Sequence, residues 1–242
     1  MKMKVSRHQV FYFPPEALAE GVIVFPEDEA KHMAGSLRLA SGDRVRATDG
    51  RGKFYEVEIA RSAGRRLEAR VLEVTEAQAA PLRVTIFQGI VRPQRMDLLV
   101  EKAAEMGVAA VVPVECARCV RGVTGRRLTR WRRIAREAMK QSLGAHLPHI
   151  SEPRAFGEAA ADLGGYDLVL AASEAEGGRA LKDVVRGHPA TTALWVGPEG
   201  GFTDEETGAL RSAGALAFSL GPRRLRSETA ALAALAALAQ LV

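Results

Sequence analysis

Long apolar runs are missing from this sequence. No stretch approaches the roughly 20 residues needed to cross a bilayer. The Leu/Ala-rich segment from Ala230 to Val242 is too short to span one and lies at the wrong end for a secretory signal. Met1 to Arg7 is basic but lacks the apolar stretch of such a signal, so a cytoplasmic location and no membrane partner are expected. Cysteine is nearly absent too: Cys116 and Cys119 form one CxxC. Redox chemistry or half of a zinc site is its functional reading, but zinc needs two further ligands and no histidine pair supplies them. Two small, half-buried side chains after a strand is the plainer account, and no metal is expected. Lysine is scarce, seven of the 34 basic residues, so the net charge of +5 is nearly all guanidinium. The planar fork of arginine suits phosphates and base edges. A coding bias toward Ala, Gly and Arg would give the same composition.

What is present reads as an ordinary globular chain: 242 residues, 47% apolar and 26% charged. Val45 to Thr48 and Phe54 to Ala60 are alternating runs around Asp49-Gly50-Arg51-Gly52, a strong turn signal. Tyr55, Val57 and Ile59 share one face, Glu56 and Glu58 the other, and Arg66 to Val74 alternates in the same way. A small, mostly antiparallel β domain over residues 1–75 follows, with 76–81 as linker. From Leu82 the pattern changes. Val84 to Ile90, Ala109 to Val114, Asp167 to Ala172, Ala193 to Val196 and Ala215 to Leu220 are continuous apolar runs. Helical stretches such as Arg95 to Met106, Arg126 to Ser142 and Asp204 to Ala213 lie between them. That alternation predicts an α/β domain over 82–242, with a parallel sheet covered on both faces.

Two segments carry the chemistry. Trp195 to Glu206 takes a buried strand into Gly197-Pro198-Glu199-Gly200-Gly201 and then into a helix opened by a Thr203/Glu206 capping box. A glycine loop at the carboxyl end of a parallel strand is where α/β folds bind ligands, and this one is neither a Walker loop nor GxGxxG. Ser219 to Ala230 takes another strand through a Gly-Pro turn and Arg223, Arg224 and Arg226 into a helix with leucines at 232, 235, 238 and 241. Those leucines read as core or interface packing; the arginines beside a ligand loop point to phosphate.

Together, Gly197-Pro198-Glu199-Gly200-Gly201 and Leu220-Gly221-x-Arg223-x-Leu225-Arg226-x-Glu228-Thr229-Ala230 resemble the signature of the SPOUT-type 16S ribosomal RNA uridine-N3 methyltransferases, the RsmE family. The likeness extends to Arg92–Asp97, to Lys102 through Val108, and to Trp131 through Gln141-Ser142. It includes His32, Leu37-Arg38 and Gly42-Asp43 of a PUA-like module. One departure is Leu143-Gly144, where the family usually has Gly-Arg.

The resemblance implies a trefoil-knotted SPOUT domain with parallel sheet behind a small N-terminal PUA-like β-barrel. It implies S-adenosylmethionine as cofactor and 16S ribosomal RNA or the assembled small subunit as partner, with a homodimer completing the cleft. Gly197, Pro198, Glu199, Gly200 and Gly201 would hold the cofactor together with Leu220, Gly221, Leu225, Arg226, Thr229 and Ala230, and Ser173 and Glu174 would close the third side. The reaction would move a methyl group to uracil N3. Glu228 and Glu199 are candidates to take the N3 proton, Arg226 to stabilise the developing anion; Glu228 can equally cap its helix. RNA contacts would come from Arg7, His32, Arg38, Arg92, Lys102, Gln141, Arg223 and Arg224, with packing the alternative for His32. Two rival functions stay open: a ribose 2′-O-methyltransferase of the same fold, told apart by its product, and a non-catalytic RNA-binding assembly factor, told apart by lack of affinity for the cofactor.

Overall fold

The alternating pattern of the first third builds one six-stranded sheet. The structure is a computed structural model and describes residues 9–63, 65–120, 122–173 and 178–241. Strands β1 (Val10–Tyr12), β2 (Leu18–Ala19) and β3 (Val22–Val24) lead through a short helix α1 (Glu27–Lys31) and a π-turn at His32–Ser36. Then come β4 (Arg44–Thr48), β5 (Lys53–Ala63) and β6 (Arg66–Glu76). The order is β1-β4-β5-β6-β3-β2, with β1 parallel to β4 and the other pairs antiparallel. Tyr55, Val57 and Ile59 pack with Val45, Ala47, Leu67 and Ala69 in the core, whereas Glu56 and Glu58 pair outside with Arg46 and Arg44.

The β4–β5 turn is held by Asp49. Its carboxylate accepts hydrogen bonds from the Arg51 backbone N–H at 2.7 Å and from the Tyr55 hydroxyl at 3.1 Å. Gly50 and Gly52 take φ of +74° and +94°, and they also leave room for a later part of the chain. A Cβ on Gly52 would stand 2.5 Å from His146 Nε2, and one on Gly50 would stand 3.0 Å from Leu147 Cβ. The backbone joins there as well, Gly52 N–H donating to the Ala145 carbonyl at 2.8 Å. Contacts therefore group Arg136–Leu147 with the chain up to Ala79 in one unit, and Ala80–Ala135 with the chain from Pro148 onward in a second. Within the first unit the Lys140 ammonium pairs at 2.5 Å with Glu29, whose carboxylate is 2% exposed.

The second unit is α/β. It runs β7 (Arg83–Gly89), α2 (Pro93–Glu105), β8 (Ala110–Glu115), α3 (Gly125–Gln141, whose last turns count with the first unit), β9 (His149–Ile150), β10 (Arg154–Ala155), α4 (Phe156–Ala161), β11 (Leu168–Ala172), α5 (Leu181–Val184), β12 (Thr191–Val196), α6 (Asp204–Ser212), β13 (Leu216–Phe218) and α7 (Ser227–Leu241). Among the described residues every strand pairing in its sheet is parallel, in the order β10-β8-β7-β12-β11-β13, with β9 beside β8. Such strands are covered on both faces, which is why β7 and β12 are buried almost end to end. Phe87 and Trp195 stack face to face at 4.6 Å across β7 and β12.

Local signals place the helices. Pro93 opens α2, and Met96, Leu99, Val100, Ala103 and Ala104 form its buried stripe. The capping box at Thr203 and Glu206 is fully formed. In α7 the buried stripe is Ala231, Ala234, Leu235 and Leu238, with Leu232 half-buried and Leu241 exposed. The leucines do not share one face because a three-residue repeat falls behind the 3.6-residue turn, and small alanines take two of the core positions. Cys116 and Cys119 are not joined in a disulfide and lie at an apolar cluster, and burial pushes the Cys116 thiol pKa well above its ordinary value.

Candidate functional site

The carboxyl ends of β11, β12 and β13 open into one cleft of about 780 Å³, within the roughly 300–1,000 Å³ typical of small-molecule sites. Its wall is made of Gly197 to Phe202 after β12, Ser219 to Ser227 after β13, Ala171 to Ser173 at the end of β11, and Ala230 of α7. Glycine is required where these loops meet. A Cβ on Gly197 would lie 3.2 Å from the carbonyl carbon of Gly201, and one on Gly89, at the end of β7, would lie 2.5 Å from the Pro198 nitrogen. Gly221 adopts φ of +109° and donates its N–H to the Ser219 hydroxyl at 3.2 Å.

A buried polar bridge fixes the two loops against the sheet. Gln88 Nε2 donates to Ser227 Oγ at 2.7 Å, and the Ser227 hydroxyl donates to the Gly197 carbonyl at 2.5 Å. The N-terminus of α7 is thereby tied to the glycine loop. On the opposite side Glu206 accepts from the Thr203 and Ala117 backbone N–H groups, and Arg118 Nη1 donates to the Gly200 and Phe202 carbonyls at 3.0 and 3.3 Å. Neither Gln88 nor Arg118 stands out in the sequence. A polar residue inside the apolar run Val84 to Ile90 is the one available signal for Gln88; Arg118 has none.

Charge around the cleft is one-sided. Among the described residues Arg95, Arg118, Arg211, Arg223, Arg224 and Arg226 line it, with one carboxylate, that of Glu199. Low-dielectric walls lined by one sign of charge focus the field and attract anions. Glu199 Oε1 accepts from Arg95 Nη1 at 3.2 Å and from the Arg92 backbone N–H at 3.4 Å. The Arg95 Nε lies 3.8 Å from Oε1 of Glu228, a residue 3% exposed at the start of α7 that does not reach the cleft wall. Its Oε2 is buried without a hydrogen-bond partner. Arg95 therefore links the two carboxylates named from sequence. It lies inside the Arg92–Asp97 stretch singled out there but carries no signal of its own.

The structure gathers Ser173, Gly197, Pro198, Glu199, Gly200, Gly201, Leu220, Gly221, Leu225, Arg226 and Ala230 around the cleft, and leaves Thr229 off its wall. Arg226 is exposed, and among the described residues its guanidinium has no hydrogen bond or ion pair. Glu174 and Arg7 lie outside the described residues. Of the nominated RNA contacts, Arg223 and Arg224 are on the cleft wall, and Arg92 is exposed at the N-cap of α2. Lys102 sits between Glu101 and Glu105, each at 2.7 Å, and hydrogen bonds to these two carboxylates hold its ammonium pKa above the ordinary value. Earlier in α2, Asp97 accepts from Trp131 Nε1 at 3.1 Å and Arg130 Nε at 2.9 Å. In the first unit, His32 and Gln141 line a smaller pocket of about 240 Å³ with Glu29 and Lys140. Arg38 is exposed, with φ of +54°.

Comparison with known proteins gives a consistent picture. The chain matches the model of an RNA methyltransferase domain over residues 78–239 and that of an RNA methyltransferase PUA domain over 25–72. It is 32% identical to a ribosomal RNA small subunit methyltransferase E of Mycobacterium bovis, covering 96% of this chain and 91% of that protein. It is 28% identical to the protein of that name in Bacillus subtilis, covering 87% of each. A ribosomal RNA small subunit methyltransferase E from Neisseria gonorrhoeae, solved bound to S-adenosyl methionine, superposes with a TM-score of 0.88 at 32% identity over 97% of this chain and 98% of that one. A probable rRNA-methyltransferase from Porphyromonas gingivalis superposes with a TM-score of 0.87 at 33% identity, covering 96% and 98%.

Proposed function

This chain belongs to the RNA methyltransferase family, and on that premise we propose that it transfers a methyl group from S-adenosylmethionine to N3 of a uridine in small-subunit ribosomal RNA. The observation that carries the reading is the cleft at the ends of β11, β12 and β13: glycine loops in close approach, with six arginines on the wall. The cavity volume and the loop backbone suit an adenosine, whose base edge is read by main-chain donors and acceptors in a site where unmade hydrogen bonds are costly. In this reading Gly197 to Gly201 and Leu220 to Leu225 hold the adenosyl group, and Ser173 closes the third side.

Bound there, the sulfonium supplies its own activation, so the chain's residues align, exclude water and handle a proton. Uracil N3 is protonated at neutral pH and needs an acceptor. Glu199 is a carboxylate on the wall and takes that role; Glu228, behind it, works through Arg95. Arg226, Arg223 and Arg224 lie where the RNA approaches. Because N3 belongs to the Watson–Crick edge, the uridine must be unpaired or extruded.

The same reading takes residues 1–75 as the RNA-gripping PUA-like domain, 76–81 as linker and 82–242 as the SPOUT domain, with His32, Arg38, Arg92 and Gln141 as backbone and shape contacts. The order β12-β11-β13 and the packing of α7 on α2, β12 and β7 support a knotted path for the C-terminal segment. A homodimer in the cytoplasm belongs to this proposal; no described helix is long and apolar enough to cross a membrane. Incubation with labelled cofactor and small subunits lacking the modification, followed by nucleoside mass spectrometry, tests it. Labelled 3-methyluridine is expected; a ribose-methylated nucleoside or no transfer would overturn it.

A further inference from the structure

We propose that Arg95 is a catalytic residue: its guanidinium donates to a carbonyl oxygen flanking uracil N3 and stabilises the anion that forms as N3 loses its proton, while Glu228 is the positioning residue that locks Arg95 in place. The inference rests on the uridine-N3 reading above. As the N3–H bond breaks, the proton passes to the Glu199 carboxylate and negative charge spreads onto the two neighbouring carbonyl oxygens. N3 then bonds the methyl carbon as the methyl–sulfur bond breaks, its electron pair staying on sulfur. The residue of most value is a donor already fixed where that charge develops.

Arg95 is held from two sides by carboxylates. Its side chain is 28% exposed, with Nη1 on Glu199 at 3.2 Å and Nε at 3.8 Å from Glu228. Arg223, Arg224 and Arg226 sit exposed on the loop after β13, and Arg118 directs Nη1 to two loop carbonyls. A guanidinium has five N–H donors. The hydrogen bond to Glu199 engages one N–H on Nη1 and the ion pair turns Nε toward Glu228, which leaves the second Nη1 donor and both on Nη2 for a ligand in the cleft that Arg95 lines. Glu228 explains the rigidity. It is buried, its Oε2 has no hydrogen-bond partner, and Arg95 is its ion-pair partner, so a swing of Arg95 away would strand a buried charge. Proton uptake by Glu199 also weakens that carboxylate's hold on Nη1 when the anion needs the donor most.

The test compares Arg95→Gln, Arg95→Lys and Glu228→Gln with the native chain in single-turnover methylation of subunits carrying either uridine or 5-fluorouridine at the target. The fluorinated base has a more acidic N3–H and needs less stabilisation. On uridine, Arg95→Gln should lose roughly 10²–10³-fold in rate, the scale for one preorganised donor, with Arg95→Lys between it and native. Calorimetric affinity for S-adenosylmethionine and the circular dichroism spectrum should be unchanged for both. On 5-fluorouridine the deficit should shrink by about tenfold or more, the signature of lost anion stabilisation. Glu228→Gln should show the same substrate-dependent deficit, smaller in size. An equal deficit on both bases, a native rate, or weakened cofactor binding that saturating donor repairs would overturn the role of Arg95. Should Arg95→Gln fail to fold, the Arg95→Lys comparison on the two bases decides in the same way. Native chain that makes no 3-methyluridine would remove the reading beneath; native chain that makes it, with Arg95→Gln equally fast, would remove the Arg95 inference alone.

Discussion

Replacing Gly89 with alanine asks whether the cleft depends on backbone contact between neighbouring strand ends. The new Cβ would stand 2.5 Å from both the nitrogen and Cδ of Pro198, and 3.0 Å from the carbonyl carbon of Gly197. Ordinary contact begins near 3.4 Å, so the Pro198 segment must retreat by roughly 1 Å, and no rotamer can relieve it because the obstructing atoms are backbone and a ring fused to it. Overpacking of this kind costs about 1–3 kcal/mol, a fall in Tm of roughly 2–4 °C for each kcal/mol in a chain of this length. The same retreat moves the Gly197–Gly201 loop. Misplacement by about 1 Å can cost 10²-fold, so affinity for S-adenosylmethionine should fall by at least about tenfold in a calorimetric titration. Gly107→Ala is the control. Its φ of +74° makes alanine strained, but no atom lies within 4 Å of its Cβ, so it should lose stability of about 1 kcal/mol with cofactor affinity intact. Gly89→Ala with native affinity and native melting would refute the reasoning.

Two further outcomes follow from the first unit. Leu143, at φ of +59° and 37% exposed, occupies the left-handed position that ends α3, where Leu143 and Gly144 N–H groups close on the carbonyls of Lys140 and Met139. Leu143→Gly should raise the urea midpoint by an amount equivalent to about 1 kcal/mol, since the relief of strain exceeds the small burial lost; a lowered midpoint would contradict this. Burial raises the Glu29 carboxyl pKa above its ordinary value, against the opposing pull of Lys140. Because the folded pKa lies above the unfolded one, the contribution is present below the ordinary carboxylate range and is lost as pH rises through the folded value. Glu29→Gln should therefore flatten the fall in stability from pH 4.5 toward neutrality seen in urea titrations, with Lys140 keeping its 2.9 Å pair to Glu137. An unaltered slope would count against it.

Much of the fold was legible because local rules and tertiary packing agree here. Period-two alternation placed Tyr55, Val57 and Ile59 inside, continuous apolar runs marked the parallel strands, and Thr203 with Glu206 marked the start of α6 within a residue. The glycine loops named themselves, since glycine suits both the close approach at Gly197 and the φ of Gly221. Alanine-rich α7 was read less well: its leucines recur every three residues, and the helical turn buries only Leu235 and Leu238 of them, with Ala231 and Ala234 beside them.

By itself, then, the sequence determined the α/β class, the five longer apolar strands with the main helices between them, and the two loops that line the cleft, because each depends on periodicity or on a residue's own backbone preferences; the short β9, β10, α4 and α5 were not read from it. Only the tertiary structure decided that Arg136–Leu147 groups with the first unit, that Gln88 bridges to Ser227, and that Arg95 stands between Glu199 and Glu228 while Glu228 stays off the cleft wall. Those are meetings of residues about 90 to 140 positions apart. Nothing in the spacing of a sequence records such distances; strand order and packing create them.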